Sequence, residues 1–119
     1  MSIDLSERVI VVTGAAGGIG SAIVRALLSD GASVVAADVS QTSLSVLVQD
    51  LESVGHSERL LDVETDVSDS EDCARLIGET VARFGRIDGL VNNAALGMGL
   101  VRMDHMSNLV GIEELDPQI

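Results

Sequence analysis

The sequence predicts an α/β fold in which one parallel sheet carries helices on both faces. Short runs of β-branched and small apolar residues alternate with longer segments whose apolar residues repeat at helical spacing. A glycine-rich stretch, T-G-A-A-G-G-I-G at residues 13–20, joins the first run to the first helical segment. The resulting order is β-α-β-α-β-α-β, and right-handed crossovers between its strands produce a doubly wound sheet.

The expected elements follow one another with short connections. Strands are expected over residues 8–12, 33–37, 60–64 and 89–92, and helices over residues 18–29, 41–54 and 68–84. Ser40 is the expected N-cap of the second helix, and Ser68 begins an S-x-x-E capping box at the third. The first helix is expected to end at Gly31 in the left-handed region, and the later helices close at Gly55 and Gly85.

Each expected helix has one apolar face, defined by residues three and four positions apart. The first face consists of Ile19, Ala22, Ile23, Ala26 and Leu27; the second of Leu44, Leu47, Val48, Leu51 and Val54; the third of Cys73, Leu76, Ile77, Thr80, Val81 and Phe84. The single cysteine is therefore interpreted as a packing residue.

The composition excludes several classes of protein. Hydrophobic residues make up 46% of the 119 residues, which is enough for a core and argues against disorder. The formal net charge of −12 argues against nucleic acid as a partner. No apolar run has the length of a membrane span and no signal sequence is visible, so we expect no membrane partner and a cytoplasmic location. No cluster of residues has metal-ligand spacing, so we expect no metal.

The glycine-rich stretch has the properties of a phosphate-binding turn. Its glycines, at positions 14, 17, 18 and 20, lack Cβ atoms and let a backbone approach a pyrophosphate closely. The helix that follows offers free N–H groups and a partial positive charge at its start. Taken alone, the same glycines are also compatible with a flexible loop.

Asp38 ends the second strand, 18 positions after Gly20. A carboxylate at this place can accept hydrogen bonds from the hydroxyls of an adenosine ribose, and it would repel a 2′-phosphate. No Arg or Lys lies in the glycine-rich stretch or directly after Asp38. The pattern therefore favours NAD over NADP, the other reading being a solvated Asp at a strand end.

Four motifs in this order resemble those of the short-chain dehydrogenase/reductase family. They are T-G-x-x-x-G-x-G at residues 13–20, Asp38, the pair Asp66-Val67 after the third strand, and N-N-A-A at residues 92–95 after the fourth. The resemblance covers residues 8–117, and Ala95 stands where the family has Gly. It implies a Rossmann-type doubly wound parallel sheet, incomplete here with about four strands and three helices.

The resemblance also implies a role for each motif. Gly14 forms the tight turn, Gly20 lets the first helix approach the first strand, and Asp38 selects the ribose. The remaining cofactor-binding positions are Gly17, Gly18 and Ile19 near the pyrophosphate, Asp66 and Val67 at the adenine, and Asn93 and Ala94 near the nicotinamide-side ribose. The implied cofactor is NAD.

The chemistry implied by the family is hydride transfer between NAD and a small alcohol or ketone. It depends on a tyrosine and on a lysine four residues later. This sequence contains no Tyr, and its seven basic residues are all Arg. We therefore assign no catalytic residue and expect the 119 residues alone to turn over nothing. A full-length parent is expected to be a homo-oligomer that acts on the alcohol or ketone.

Beyond Ala95 the periodic pattern stops. Residues 96–111 are interpreted as a loop, and Asp116 and Pro117 as the start of a further helix. The chain is therefore interpreted as one NAD-binding domain, residues 1–119, of which only the N-terminal portion is present. Its fourth strand would then have an unpaired edge, so we expect poor solubility.

Two alternatives remain at this point. One is a non-catalytic short product that binds NAD or a partner protein. The other is a different Rossmann domain, such as an epimerase-type protein, which the spacing of residues 13–20 and the N-N-A-A motif disfavour.

Overall fold

The computed structural model describes residues 4–94, in which strands and helices alternate as predicted. The strands are β1 (Val9–Thr13), β2 (Ser33–Asp38), β3 (Leu60–Glu64) and β4 (Gly89–Asn92). The helices are α1 (Gly18–Ser29), α2 (Gln41–Glu52) and α3 (Ser70–Phe84), and a 3₁₀ turn, Ser57–Arg59, precedes β3. The loop and helix start predicted beyond Ala94 lie outside the described residues.

The four strands form one parallel sheet in the order β3-β2-β1-β4. Val11 of β1 pairs with Val35 of β2 on one side and with Leu90 of β4 on the other. The chain runs outward from β1 to β3 and then returns to the opposite side of β1. The order therefore reverses between β1 and β4, and in such sheets ligands bind beyond the carboxyl ends of the strands at that point.

Successive residues of the inner strands face opposite sides of the sheet, and each side has its own core. On one side Val12, Val34 and Ala36 pack with residues of α1 and α2, including Val24, Leu28, Leu44 and Leu51. On the other side Val11, Val35 and Ala37 pack with Leu76 of α3. Helices thus cover both faces, which confirms the predicted doubly wound α/β fold.

The predicted apolar face of α1 is wrong by about one position. The buried residues of this helix are Gly20, Val24 and Leu28, whereas Ile19, Ala22 and Ala26 are exposed and Ile23 and Leu27 lie at the margin. A Cβ on Gly20 would lie 1.9 Å from the carbonyl oxygen of Gly14. This backbone contact fixes which side of α1 meets the sheet. The hydropathy of the side chains does not predict it, because glycine has no side chain.

Two further details of the helices differ from prediction. Asp69, not Ser68, is the N-cap of α3: its Oδ1 accepts hydrogen bonds from the N–H groups of Glu71 and Asp72 at 2.9 and 3.3 Å. The Ser68 hydroxyl instead donates to Asp66. Helix α2 ends at Glu52, and Val54, beyond that end, is exposed and not part of the apolar face.

Of the other predicted caps, Ser40 and Gly85 are confirmed, whereas the C-caps of α1 and α2 are Asp30 and Ser53. The Ser40 hydroxyl accepts from the N–H of Ser43 at 3.2 Å. Gly31, Gly55 and Gly85 all have positive φ angles, and Gly85 is the left-handed C-cap of α3. Between residues 4 and 94, no helix has both the length and the apolar character that crossing a bilayer requires.

Candidate functional site

A cavity of about 230 Å³ lies at the carboxyl ends of the strands and extends from the ends of β2 and β3 to the point between β1 and β4 where the strand order reverses. It is lined by Gly14, Ala37, Asp38, Val39, Thr65, Asp66, Val67 and Ala94. Five of the ten predicted cofactor-binding residues are in this lining: Gly14, Asp38, Asp66, Val67 and Ala94. The lining therefore draws on the segments that follow β1, β2, β3 and β4.

At Gly14 the segment that follows β1 lies against the segment that follows β4. Its φ is +65°, and an added Cβ would lie 3.0 Å from both the Cα and the nitrogen of Ala94. The carbonyl oxygen of Gly14 accepts from the Asn93 side-chain amide at 3.2 Å and from the N–H of Gly17 at 3.3 Å. Both the turn and the close approach require glycine here.

The other glycine-rich positions lie outside the cavity lining. Gly20 is buried against Gly14 and brings α1 onto β1. Gly17 is the N-cap of α1, and Gly18 and Ile19 form the exposed start of the helix. No side chain within residues 4–94 caps this end, so its first N–H groups face outward with the positive end of the helix dipole.

Asp38 joins the glycine-rich loop, residues 14–17, to the end of β2. Its Oδ2 accepts from the N–H of Ala16 at 3.0 Å, and its Oδ1 accepts from the N–H of Ser40 at 3.0 Å. The N–H of Thr65 donates to the Asp38 carbonyl oxygen at 2.8 Å. These bonds hold the carboxylate at the cavity wall. Asp38 and Asp66 supply negative charge to the lining, which contains no basic residue in the part of the chain described.

Asp66 is held from two sides. Its Oδ1 accepts from the hydroxyl and the N–H of Ser68 at 2.6 and 3.0 Å, and these bonds hold the pKa of the Asp66 carboxyl below its ordinary value. Its own N–H donates to Oδ2 of Asp72 in α3 at 2.9 Å. That bond, together with Arg75, lowers the pKa of Asp72. These bonds hold the segment between β3 and α3 in place.

Thr13 has a role that the sequence reasoning missed. It is buried, and its hydroxyl accepts from the N–H groups of Asn93 and Ala94 at 3.0 and 3.1 Å. Its oxygen also lies 3.2 Å from Oδ1 of Asn92. The hydroxyl thus joins the end of β1 to the end of β4. The available signal was a hydroxyl at the end of an otherwise apolar strand.

Cys73 is half-buried in α3, and its thiol lies 3.4 Å from the carbonyl oxygen of Val67. Within residues 4–94, no three His, Cys, Asp or Glu side chains are grouped so as to hold a metal ion.

Comparison with known protein families gives one match over most of the chain. The model of the short chain dehydrogenase family matches residues 8–115. This range contains every element described above and the residues that line the cavity.

Among curated relatives, 3beta-hydroxysteroid dehydrogenase 2 of Eggerthella lenta is 36% identical over 115 residues, covering 97% of this chain and 40% of the relative. Cis-4-hydroxycyclohexanecarboxylate dehydrogenase of Sinomonas cyclohexanicum is 46% identical over 91 residues, covering 76% of this chain and 35% of the relative. The chain therefore spans less than half the length of these relatives.

Solved structures show the same similarity. A short-chain dehydrogenase/reductase from Brucella melitensis superimposes with a TM-score of 0.69 at 33% identity, over 76% of this chain and 37% of that one. The N-domain of a bacterial malonyl-CoA reductase, solved with NADP, gives a TM-score of 0.71 at 40% identity, over 76% of this chain and 17% of that one.

Proposed function

The chain belongs to the short-chain dehydrogenase family, and we propose that it forms the N-terminal, NAD-binding portion of an oxidoreductase that transfers hydride between NAD and an alcohol or ketone. The observation that carries this proposal is the cavity where the strand order reverses, with Gly14 at one wall and Asp38 and Asp66 at others. Bound NAD supplies the hydride acceptor. The residues of this chain bind and orient it.

The pyrophosphate is assigned to the start of α1. Gly17, Gly18 and Ile19 are exposed there, and Gly17 and Gly18 have no Cβ that would keep an anion away from their backbone. The uncapped N–H groups and the helix dipole attract a phosphate oxygen at this position. Gly20 contributes by letting the helix start so close to β1.

The adenosine ribose is assigned to Asp38, and this assignment is the reason for choosing NAD. A carboxylate accepts hydrogen bonds from the 2′ and 3′ hydroxyls and repels a 2′-phosphate. The malonyl-CoA reductase domain was solved with NADP, so similarity to solved structures does not decide the cofactor. The charge at Asp38 supports NAD, because the cavity lining contains no Arg or Lys among the described residues to neutralise a further phosphate.

The two ends of the cofactor are assigned to the other segments of the cavity wall. Asp66 and Val67 border the adenine, where the bonds from Ser68 and Asp72 keep the segment in place. Asn93 and Ala94 are assigned to the nicotinamide-side ribose. Thr13 positions both of them through their backbone N–H groups.

The catalytic acid/base is assigned to residues outside this sequence. The 119 residues contain no Tyr, and all seven basic residues are Arg. We therefore propose that the purified chain binds NAD weakly and turns over no alcohol. The two curated relatives described above are named as dehydrogenases of hydroxylated ring compounds, which supports a small alcohol or ketone as the substrate of a full-length, homo-oligomeric, cytoplasmic parent.

Titration of the purified chain with NAD and NADP tests the cofactor assignment. We expect weak binding with NAD preferred, and NMR shift changes concentrated at residues 14–19, Asp38 and Asp66. Equal or tighter binding of NADP would contradict the assignment. Measurable dehydrogenase activity of the chain by itself would contradict the division between cofactor site and catalytic residues.

A second candidate is a non-catalytic protein that binds a nucleotide or associates with a full-length relative. The lack of Tyr and Lys in the sequence favours it. The coding DNA after the codon for Ile119 separates the two candidates. A reading frame that continues through Ser and Tyr-x-x-x-Lys supports the enzyme, and a stop codon with a soluble, folded product supports the second candidate.

A further inference from the structure

The side chain of Asp38 connects two segments that are far apart in the sequence. Its Oδ2 accepts from the N–H of Ala16, 22 positions away, at 3.0 Å, and its Oδ1 accepts from the N–H of Ser40 at 3.0 Å. We propose that Asp38 is also a positioning residue, which holds the glycine-rich loop in its binding conformation before a nucleotide arrives. This inference rests on the proposed function and adds a second role to a residue already assigned to the ribose.

The first half of the loop is fixed by backbone alone. The N–H of Ala15 donates to the carbonyl oxygen of Ala37 at 3.0 Å, and Ala15 is fully buried. This bond extends the pairing of β1 with β2 by one step and persists whatever side chain stands at position 38. The next N–H, that of Ala16, has Asp38 as its acceptor, so a side chain takes over where the backbone pairing ends.

Beyond Ala16 the loop is held through the carbonyl oxygens of Gly17 and Gly18, which accept from the N–H and the hydroxyl of Ser21 at 2.8 and 3.1 Å. Gly17 and Gly18 are exposed, and a Cβ on Gly18 would have no heavy atom within 4 Å. Gly17 donates one long bond, 3.3 Å, to the carbonyl oxygen of Gly14. Two glycines in sequence have wide conformational freedom. The bond to Asp38 therefore limits the conformations of the segment assigned to the pyrophosphate.

Both roles fit on one carboxylate. An ionised carboxylate has about four lone-pair sites, and the N–H groups of Ala16 and Ser40 occupy two of them. About two sites remain for the 2′ and 3′ hydroxyls of a ribose. A substitution at position 38 therefore removes a ribose contact and the loop restraint together. It also weakens the binding of a ligand that lacks those hydroxyls, because the loop restraint is lost.

Asp38→Asn weakens both roles with little change of shape, and a ligand that lacks the ribose hydroxyls then separates them. Asn keeps one acceptor oxygen, and its amide nitrogen is a donor. Whichever way the amide is turned, a donor faces one of the two N–H groups, and one of the two bonds is lost. A matched control is Asp50→Asn on the exposed side of α2, where Asp50 pairs with Arg25 at 3.6 Å.

The decisive experiment compares ADP with 2′,3′-dideoxy-ADP on the 119-residue chain by NMR titration. We expect Asp38→Asn to weaken dideoxy-ADP about tenfold, as expected for one lost bond to a charged group. Asp50→Asn should leave both affinities unchanged. Asp38→Ala, which removes both bonds, is measured alongside. If Asp38→Asn and Asp38→Ala both weaken ADP but bind dideoxy-ADP as the unmodified chain does, Asp38 acts on the ribose alone and the inference is wrong.

Hydrogen exchange of the ligand-free, unmodified chain gives a test that needs neither a variant nor a nucleotide. We expect the Ala16 amide to exchange much more slowly than the exposed Gly18 amide. Equally fast exchange of the two would overturn the inference. If the chain binds neither ADP nor dideoxy-ADP, the proposed function of this chain fails, and the exchange of Ala16 still decides the role of Asp38 in the loop.

Discussion

Gly20 is the residue on which the approach of α1 to the sheet depends. A Cβ at this position would lie 1.9 Å from the carbonyl oxygen of Gly14 and within 3 Å of two further backbone atoms. Backbone atoms cannot rotate away as a side chain can, so the helix must shift. We expect Gly20→Ala to destabilise the fold by about 3 kcal/mol, measured by urea unfolding.

Gly18 provides the matched control, since it lies in the same helix two positions earlier. A Cβ there would meet no heavy atom within 4 Å, and alanine favours the helix more than glycine does. Gly18→Ala is therefore expected to be neutral or slightly stabilising. Similar losses in both variants would show that the cost lies in the loop sequence generally and not in the contact with Gly14.

The sequence motifs predicted five of the residues that line the cavity, but not the bonds between the segments. The glycine motif and Asp38 were found because few structures require those residue types at that spacing. The role of Thr13 depends on the backbone N–H groups of Asn93 and Ala94. Such partners meet only after β4 has paired with β1, and a local pattern carries no information about them.

At the scale of elements, the start of α3 is a case where two adjacent residues could both serve as caps. Asp69 accepts from two backbone N–H groups, and its charge lies at the positive end of the helix. We expect Asp69→Ala to reduce stability by about 1 kcal/mol. Ser68→Ala, which removes only the exposed bond to Asp66, should cost clearly less in the same thermal unfolding measurement. A larger loss of stability in Ser68→Ala than in Asp69→Ala would show that Ser68 is the cap.

The starts of β1 and β4 are joined through Asp88. Its carboxylate accepts from the Arg86 guanidinium and from the N–H of Val9, which lowers the pKa of Asp88 from its ordinary value of 3.8. A lowered folded-state pKa adds stability above 3.8 that is lost as the pH falls through the folded value. We expect Asp88→Asn to be less stable than the unmodified chain at pH 7.

The difference between Asp88→Asn and the unmodified chain should shrink as the pH falls from 3.8 through the lowered folded-state pKa, because below that pKa both side chains are neutral. Thermal unfolding at a series of pH values measures this. A difference that stays constant with pH would show that the charge of Asp88 contributes nothing and that only its shape matters.

Element boundaries were predicted well, and most lie within two residues of the structure. Element boundaries depend on apolar periodicity and on glycines at the ends of helices. Both are local features of the sequence, so the boundaries can be predicted from it. The cap at Ser68-Asp69 was harder, because both side chains suit an N-cap and the choice depends on Asp66, which binds the serine hydroxyl.

At the scale of the whole molecule, the β4 side of the sheet has an incomplete cover within the described residues. Leu90 is 62% exposed, and Ile77 and Val81 of α3 are each 46% exposed. An apolar strand edge of this kind favours association with another chain. We expect the purified chain to self-associate and Leu90→Lys to reduce this, measured by light scattering. Val46→Lys, at a 55% exposed site on α2, should have little effect.

A monodisperse monomer that melts cooperatively without the substitution would contradict this expectation.

The doubly wound arrangement itself could be predicted, since alternating strands and helices with right-handed crossovers leave few topologies.

The strand order also has a kinetic consequence. The strands β1, β2 and β3 follow one another in the sequence and pair in that order. β4 instead returns to β1, so that Asp88, just before β4, meets Val9 of β1 across 79 positions. Closing that long loop costs more chain entropy than any earlier pairing, so we expect β4 to join the sheet last. The cavity assigned to the cofactor is then completed in the final step of folding. A nucleotide that contacts both Asp38 and Ala94 would therefore lower the rate of unfolding.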